Sequence, residues 1–120
     1  MISALPGNHY GEWSGNLSKR LYAAPYAGKK VCLRASVRIE TRDDKCRAYL
    51  WLRGSKPGFG PAAETFYKGT EDHPITSGEW REIEIVGDVS KETSFVDFGL
   101  ALVGDGVAWI DSVTLEPMDL

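Results

Sequence analysis

The chain is poor in cysteine, in histidine and in surplus positive charge. Only Cys32 and Cys46 occur among the 120 residues. If residues 31–39 and 46–53 form a hairpin around Asp43-Asp44, Cys46 lies near residue 40, far from Cys32. Alternation also puts the two thiols on opposite faces, so a bridge between them is not expected. Two thiols without histidines at ligand spacing make no metal site, and we read them as free. Lysine and arginine number 14 against 17 aspartates and glutamates, a formal net charge of −3. Nothing in that balance attracts a phosphate backbone, so no nucleic-acid partner is expected. No apolar run approaches the roughly 20 residues that span a bilayer, so no membrane association is read either. The opening MISALPGNHYGEW lacks a basic segment followed by an apolar one; no secretory signal is read there, and the chain is expected to be soluble.

The length and an ordinary hydrophobic content of 42% suit one domain with a two-layer core. Residues 95–116, FVDFGLALVGDGVAWIDSVTLE, organise the rest. Val96, Phe98, Leu100 and Leu102 fall on one face of an extended strand, and Phe95, Asp97, Gly99 and Ala101 on the other. Gly104-Asp105-Gly106 supplies a tight turn, and Val107, Trp109, Asp111, Val113 and Leu115 return in phase. The pattern predicts a β-hairpin.

Earlier stretches supply further strands. Residues 17–22 alternate, and residues 30–40 do so most clearly, with Val31, Leu33, Ala35, Val37 and Ile39 inward. Residues 46–53 form a third strand, 63–68 a short one, and 79–86 another with Ile83 and Ile85 in phase. Residues 1–16 read as an irregular lead-in, and 54–62 and 69–78, rich in glycine and proline, as loops. Roughly seven short strands without a helical period predict an all-β, antiparallel β-sandwich as one domain over residues 1–120.

Three places could carry chemistry. Asp111, on strict alternation, points its carboxylate at the core, where it needs a cation or hydrogen bonds. A structural Ca²⁺ site would answer that need, and so would a carboxylate accepting backbone N–H groups at a bulge. The second place is the outward face of residues 46–53, where Arg47, Tyr49, Trp51 and Arg53 set two aromatic rings between two guanidinium groups. Sugar rings and other planar ligands are held on such surfaces. The competing reading is that residues 54–69 or the N-terminal segment cover this face as a small second core. The third is Glu71-Asp72-His73, where no nucleophile motif accompanies the histidine; a polar loop is the expectation.

Residues 75–116 resemble the C-terminal part of galactose-binding-like, jelly-roll β-sandwich domains, which include carbohydrate-binding modules and accessory domains of bacterial regulators and enzymes. Trp80 after a Ser-Gly turn, the run Phe98-Gly99-Leu100 and the ending Trp109-Ile110-Asp111-Ser112-Val113 carry the likeness. Asn16-Leu17-Ser18 and residues 26–31 extend it over about residues 15–116. The resemblance implies a non-catalytic module that binds a sugar or other small ligand, or packs as an accessory domain. An acid near Asp111 serves structural Ca²⁺ in some members; Ser112 stands where others have a second acid. The expected ligand contacts are Tyr49, Trp51, Arg47, Arg53 and Asp97. No cofactor is expected beyond that Ca²⁺. The alternative role is a structural or protein-interaction domain, a homodimer joined through the same aromatic face.

Overall fold

Strand alternation decides which side chains go inside, and the chain follows it closely. The computed structural model describes residues 2–3, 14–42, 46–58 and 60–118. Eight strands succeed one another: β1 (Ile2–Ser3), β2 (Ser14–Tyr22), β3 (Lys29–Thr41), β4 (Arg47–Ser55), β5 (Glu64–Gly69), β6 (Arg81–Val89), β7 (Phe95–Val103) and β8 (Gly106–Pro117). One 3₁₀ turn, Pro61–Ala63, precedes β5.

The strands form two antiparallel sheets of four, ordered β1-β8-β3-β6 (sheet I) and β2-β7-β4-β5 (sheet II). Each early strand lies beside its late counterpart: β1 with β8, β2 with β7, β3 with β6 and β4 with β5. That wiring is the jelly roll. The apolar faces of the sheets meet in one core. Val31, Leu33, Val37 and Ile39 of β3 oppose Leu50 and Leu52 of β4 and Val96, Leu100 and Leu102 of β7, all almost wholly inaccessible. Phe66 packs against that core with its ring between Gly54 and Gly87, where no Cβ would fit.

Both expected hairpins are absent, although their strands exist. β7 pairs with β2 and β4, whereas β8 pairs with β1 and β3. Gly104-Asp105-Gly106 therefore carries the chain from one sheet to the other. Gly104 adopts φ 89°, and the Asp105 carbonyl accepts from the Arg42 N–H at 2.8 Å, which ties this corner to the end of β3. In the same way β3 and β4 lie in different sheets. Alternation fixes a strand's buried face but not its partner, and a two-residue turn serves a corner as well as a hairpin. The lead-in also differs: Ile2–Ser3 pairs with Ala108 and Val107, and β2 begins at Ser14.

The last strand shifts phase halfway. Ala108 is fully buried and Ile110 packs on the core, so Val107 and Trp109 face outward, not inward as strict alternation required. Arg34 pairs with Thr114 but Ser36 with Asp111. Two residues of β8, Ser112 and Val113, thus oppose Ala35 alone, which is a β-bulge. Beyond it Leu115 rejoins the core.

Candidate functional site

The outer face of sheet II is set by register. Trp51 of β4 pairs with Gly99 of β7 on one side and Gly69 of β5 on the other, and Gly99 pairs with Ser18 of β2. The tryptophan thus stands in a row of the smallest residues in the sheet. The space beside it is filled by its own ring: a Cβ on Gly99 would lie 2.7 Å from Trp51 Cζ2 and 2.9 Å from Cε2. The indole lies down across Gly99, half-buried, with its other side outward. Tyr49, two residues along, is also half-buried and accepts a hydrogen bond from Arg47 Nε through its hydroxyl. Neither ring is sealed under a second core, among the described residues.

The next row is charged. Arg20, Asp97 and Arg53 stand side by side in register on β2, β7 and β4, with Tyr67 of β5 at the end. Asp97 is buried, and its two oxygens accept from Arg20 Nε at 2.8 Å and Nη2 at 3.0 Å. A bidentate pair of this kind fixes the guanidinium in orientation. That pairing holds the Arg20 pKa above its ordinary value, so its charge is constant. Arg20 also lies 4.7 Å from the centre of the Phe95 ring, which leans on Tyr22 at 5.8 Å. Arg53 Nε lies 3.2 Å from Glu64 Oε2, an ion pair whose angle makes no hydrogen bond. Tyr67 is exposed at 43% and donates its hydroxyl to Glu71. Burial, then that hydrogen bond, raises its pKa well above the tyrosine range.

The structure therefore gathers all five expected contacts, Arg47, Tyr49, Trp51, Arg53 and Asp97, on one face, Asp97 with a different immediate task. Its carboxylate is taken up by Arg20, whose side chain is itself largely exposed. Sequence reading missed Arg20 because nothing in a single strand announces its cross-strand partner. Tyr67 stands on the face, whereas its neighbour Phe66 packs against the core. Phe59 lies outside the described residues.

Asp111 accepts a backbone N–H at a bulge, one of the two expectations for it, but its orientation toward the core is overturned. The residue is exposed, at the bulge, where its Oδ1 accepts from the Ser112 N–H at 2.8 Å and Ser112 adopts φ 55°. The extra residue turns the strand and brings Asp111 to the surface. Among the described residues no group of three or more His, Cys, Asp or Glu side chains could hold a metal ion. His73 is exposed, in a turn held by its N–H to the Thr70 carbonyl at 2.9 Å. Cys32 and Cys46 are both buried free thiols.

No family model matches the chain. It is 31% identical over 106 residues to an uncharacterized HTH-type transcriptional regulator, YbfP, of Bacillus subtilis; the match covers 86% of this chain and 34% of that protein. The chain thus spans about a third of the length of that curated relative. Among solved structures it is similar to the enzymatically active domain of tailspike protein 4 of bacteriophage CBA120. There the TM-score is 0.67 at 11% identity, over 98% of this chain and 15% of the other. It is also similar to the carbohydrate-binding module CBM4, with a TM-score of 0.61 at 14% identity, over 92% of this chain and 74% of the other. Identities this low speak for fold alone. The fold is an antiparallel jelly-roll β-sandwich, similar in architecture to that carbohydrate-binding module.

Proposed function

We propose that the chain is a non-catalytic binding module whose ligand face is the outer surface of sheet II, and that the ligand is a carbohydrate. The observation that carries this reading is the Trp51 indole laid across Gly99, with an Arg20 fixed by Asp97 in the next row of the same face. A flat ring offers its face to the C–H side of a sugar, and an oriented guanidinium offers paired donors to neighbouring hydroxyls. Both elements are pre-set in the free protein, which limits the ordering cost of binding. The similarity to CBM4 supports the reading at the level of fold. A non-enzymatic role agrees with the chemistry of the face: Asp97 is engaged by Arg20, Glu64 by Arg53 and Glu71 by Tyr67. No pair of free carboxylates stands ready for acid–base work among the described residues of this face.

A glycan array followed by calorimetric titration of the best-bound oligosaccharide tests this. Trp51→Ala abolishes binding there, and Arg20→Met weakens it by roughly tenfold, the loss of about one charged hydrogen bond. An array with no bound glycan would overturn the carbohydrate assignment. The alternative is self-association through the same face, favoured by Tyr22 at 78% exposure beside Phe95. Light scattering on the wild type and on Trp51→Arg decides it: a monomer in both removes the dimer.

A further inference from the structure

Sheet I has an aromatic row of its own, on the opposite side of the molecule. Arg38 of β3 pairs in register with Trp109 of β8, and its guanidinium carbon lies 4.3 Å from the centre of that ring. On the other side the same carbon lies 6.0 Å from the centre of the Trp80 ring. Trp80 immediately precedes β6 and is held there by its neighbours: the Ile39 N–H donates to the Ser77 carbonyl at 2.9 Å, and Ser77 Oγ accepts from the Glu79 N–H at 3.0 Å. Trp80, Arg38 and Trp109 thus form one line across β6, β3 and β8. Trp80 is 50% exposed, a large indole face in water.

The adjoining row is polar. Ser36 pairs with Glu82 of β6 and with Asp111 of β8. The bulge sets Asp111 at the surface there, with Oδ1 on its own Ser112 N–H. Glu82 and Asp111 make no ion pair with a described residue, nor does Arg38, although Arg20, Arg34, Arg42 and Arg53 each have a carboxylate. A guanidinium without a carboxylate partner and two carboxylates without a cation partner therefore lie on adjoining rows of one face, beside two indole rings. A neutral pyranose matches that set: its C–H face stacks on indole, its hydroxyl oxygens accept from arginine and its hydroxyl protons go to carboxylates. An anionic ligand would meet repulsion from Glu82, Asp111 and nearby Glu40. The rings stand two strand spacings apart, roughly 10 Å, so one oligosaccharide can cover both.

We infer that the outer face of sheet I is a second sugar-binding site, for a neutral oligosaccharide, built on Trp80, Arg38 and Trp109 with Glu82 and Asp111 as acceptors. It does not depend on the face around Trp51. The test uses the whole chain grown with fluorotryptophan, whose four tryptophans give separate fluorine resonances assigned by single Trp→Phe variants. Cellohexaose, xylohexaose, laminarihexaose and mannohexaose are titrated in turn. With at least one of them the Trp80 and Trp109 resonances shift together on one saturation curve. The shift persists in Trp51→Ala, disappears in Trp80→Ala and needs roughly tenfold more sugar in Arg38→Met. If neither resonance moves with any of the four sugars, or both move only while Trp51 is intact, the site does not exist. Movement of the Trp51 resonance alone leaves the sheet II proposal standing and removes this one. Movement of Trp80 and Trp109 alone does the reverse. The wild-type titration needs no variant to fold, and the exposure of Trp80 makes Trp80→Ala a mild change.

Discussion

A single methyl group measures how closely the outer face of sheet II is built. On Gly99 it would lie 2.4 Å from the Leu17 carbonyl oxygen and against the Trp51 ring. Backbone cannot give way there as a flexible side chain can. Gly99→Ala should therefore destabilise by about 1–3 kcal/mol, seen in urea unfolding, and should displace the indole, seen as a shift in tryptophan emission. Trp51→Ala should cost only about 1–2 kcal/mol, since the ring is half-buried, while removing sugar binding altogether. At the bulge, Ser112 holds a left-handed backbone that L-residues resist. Ser112→Gly should raise stability by up to about 1 kcal/mol, checked by thermal melting. Two groups make stability fall at alkaline pH. Burial, then Glu84, raises the Cys32 pKa, and burial and Glu71 raise that of Tyr67. The folded state thus keeps these protons longer than the unfolded chain. Their stabilisation is complete below the ordinary pKa values of about 8.5 and 10, and is lost as pH climbs through the raised ones. Melting temperature should stay level near neutral and fall above about pH 9, with a shallower fall in Tyr67→Phe. At this scale the sequence told which side each residue of β3, β4 and β7 would take, because period two leaves no choice. It misplaced Asp111 and Trp109, because one extra residue reverses the parity and no residue type marks where it enters.

Elements were legible as strands and illegible as partners. The alternation of Val31, Leu33, Ala35, Val37 and Ile39 announces a strand with one buried face, and the apolar parity of β7 was right at every position. Yet β7 and β8 were paired with each other when they lie in facing sheets. The turn between them carries the glycines of a hairpin, and the deciding facts, Val103 against Ser14 and Arg47, and Gly106 against Thr41, lie far away in sequence. Where the two sheets meet, Phe66 joins their edges. Added Cβ atoms would lie 2.4 Å from its Cε1 at Gly54 and 2.8 Å from its Cε2 at Gly87. The ring is gripped from β4 and from β6 at once. Gly54→Ala and Gly87→Ala should each cost about 1–3 kcal/mol by denaturant unfolding, and the double change less than the sum, because one displacement of the ring relieves both.

At the scale of the whole molecule, the eight strands among the described residues make one two-sheet jelly roll in which every neighbouring pair joins segments distant in the chain, apart from β4 with β5. The two candidate ligand faces lie back to back with the core between them. Trp51→Ala and Trp80→Ala are therefore expected to act additively on stability, within about 0.5 kcal/mol, a relation that a four-member cycle of melts can check. The last two of these strands in sequence, β7 and β8, each lie between two earlier ones, β7 between β2 and β4 and β8 between β1 and β3. During translation β3 can meet β6 and β4 can meet β5 early, but β1 and β2 have no sheet neighbour until β8 and β7 leave the ribosome. Until then the two parts of each sheet stay apart, and a gap one strand wide must be kept between neighbours made long before.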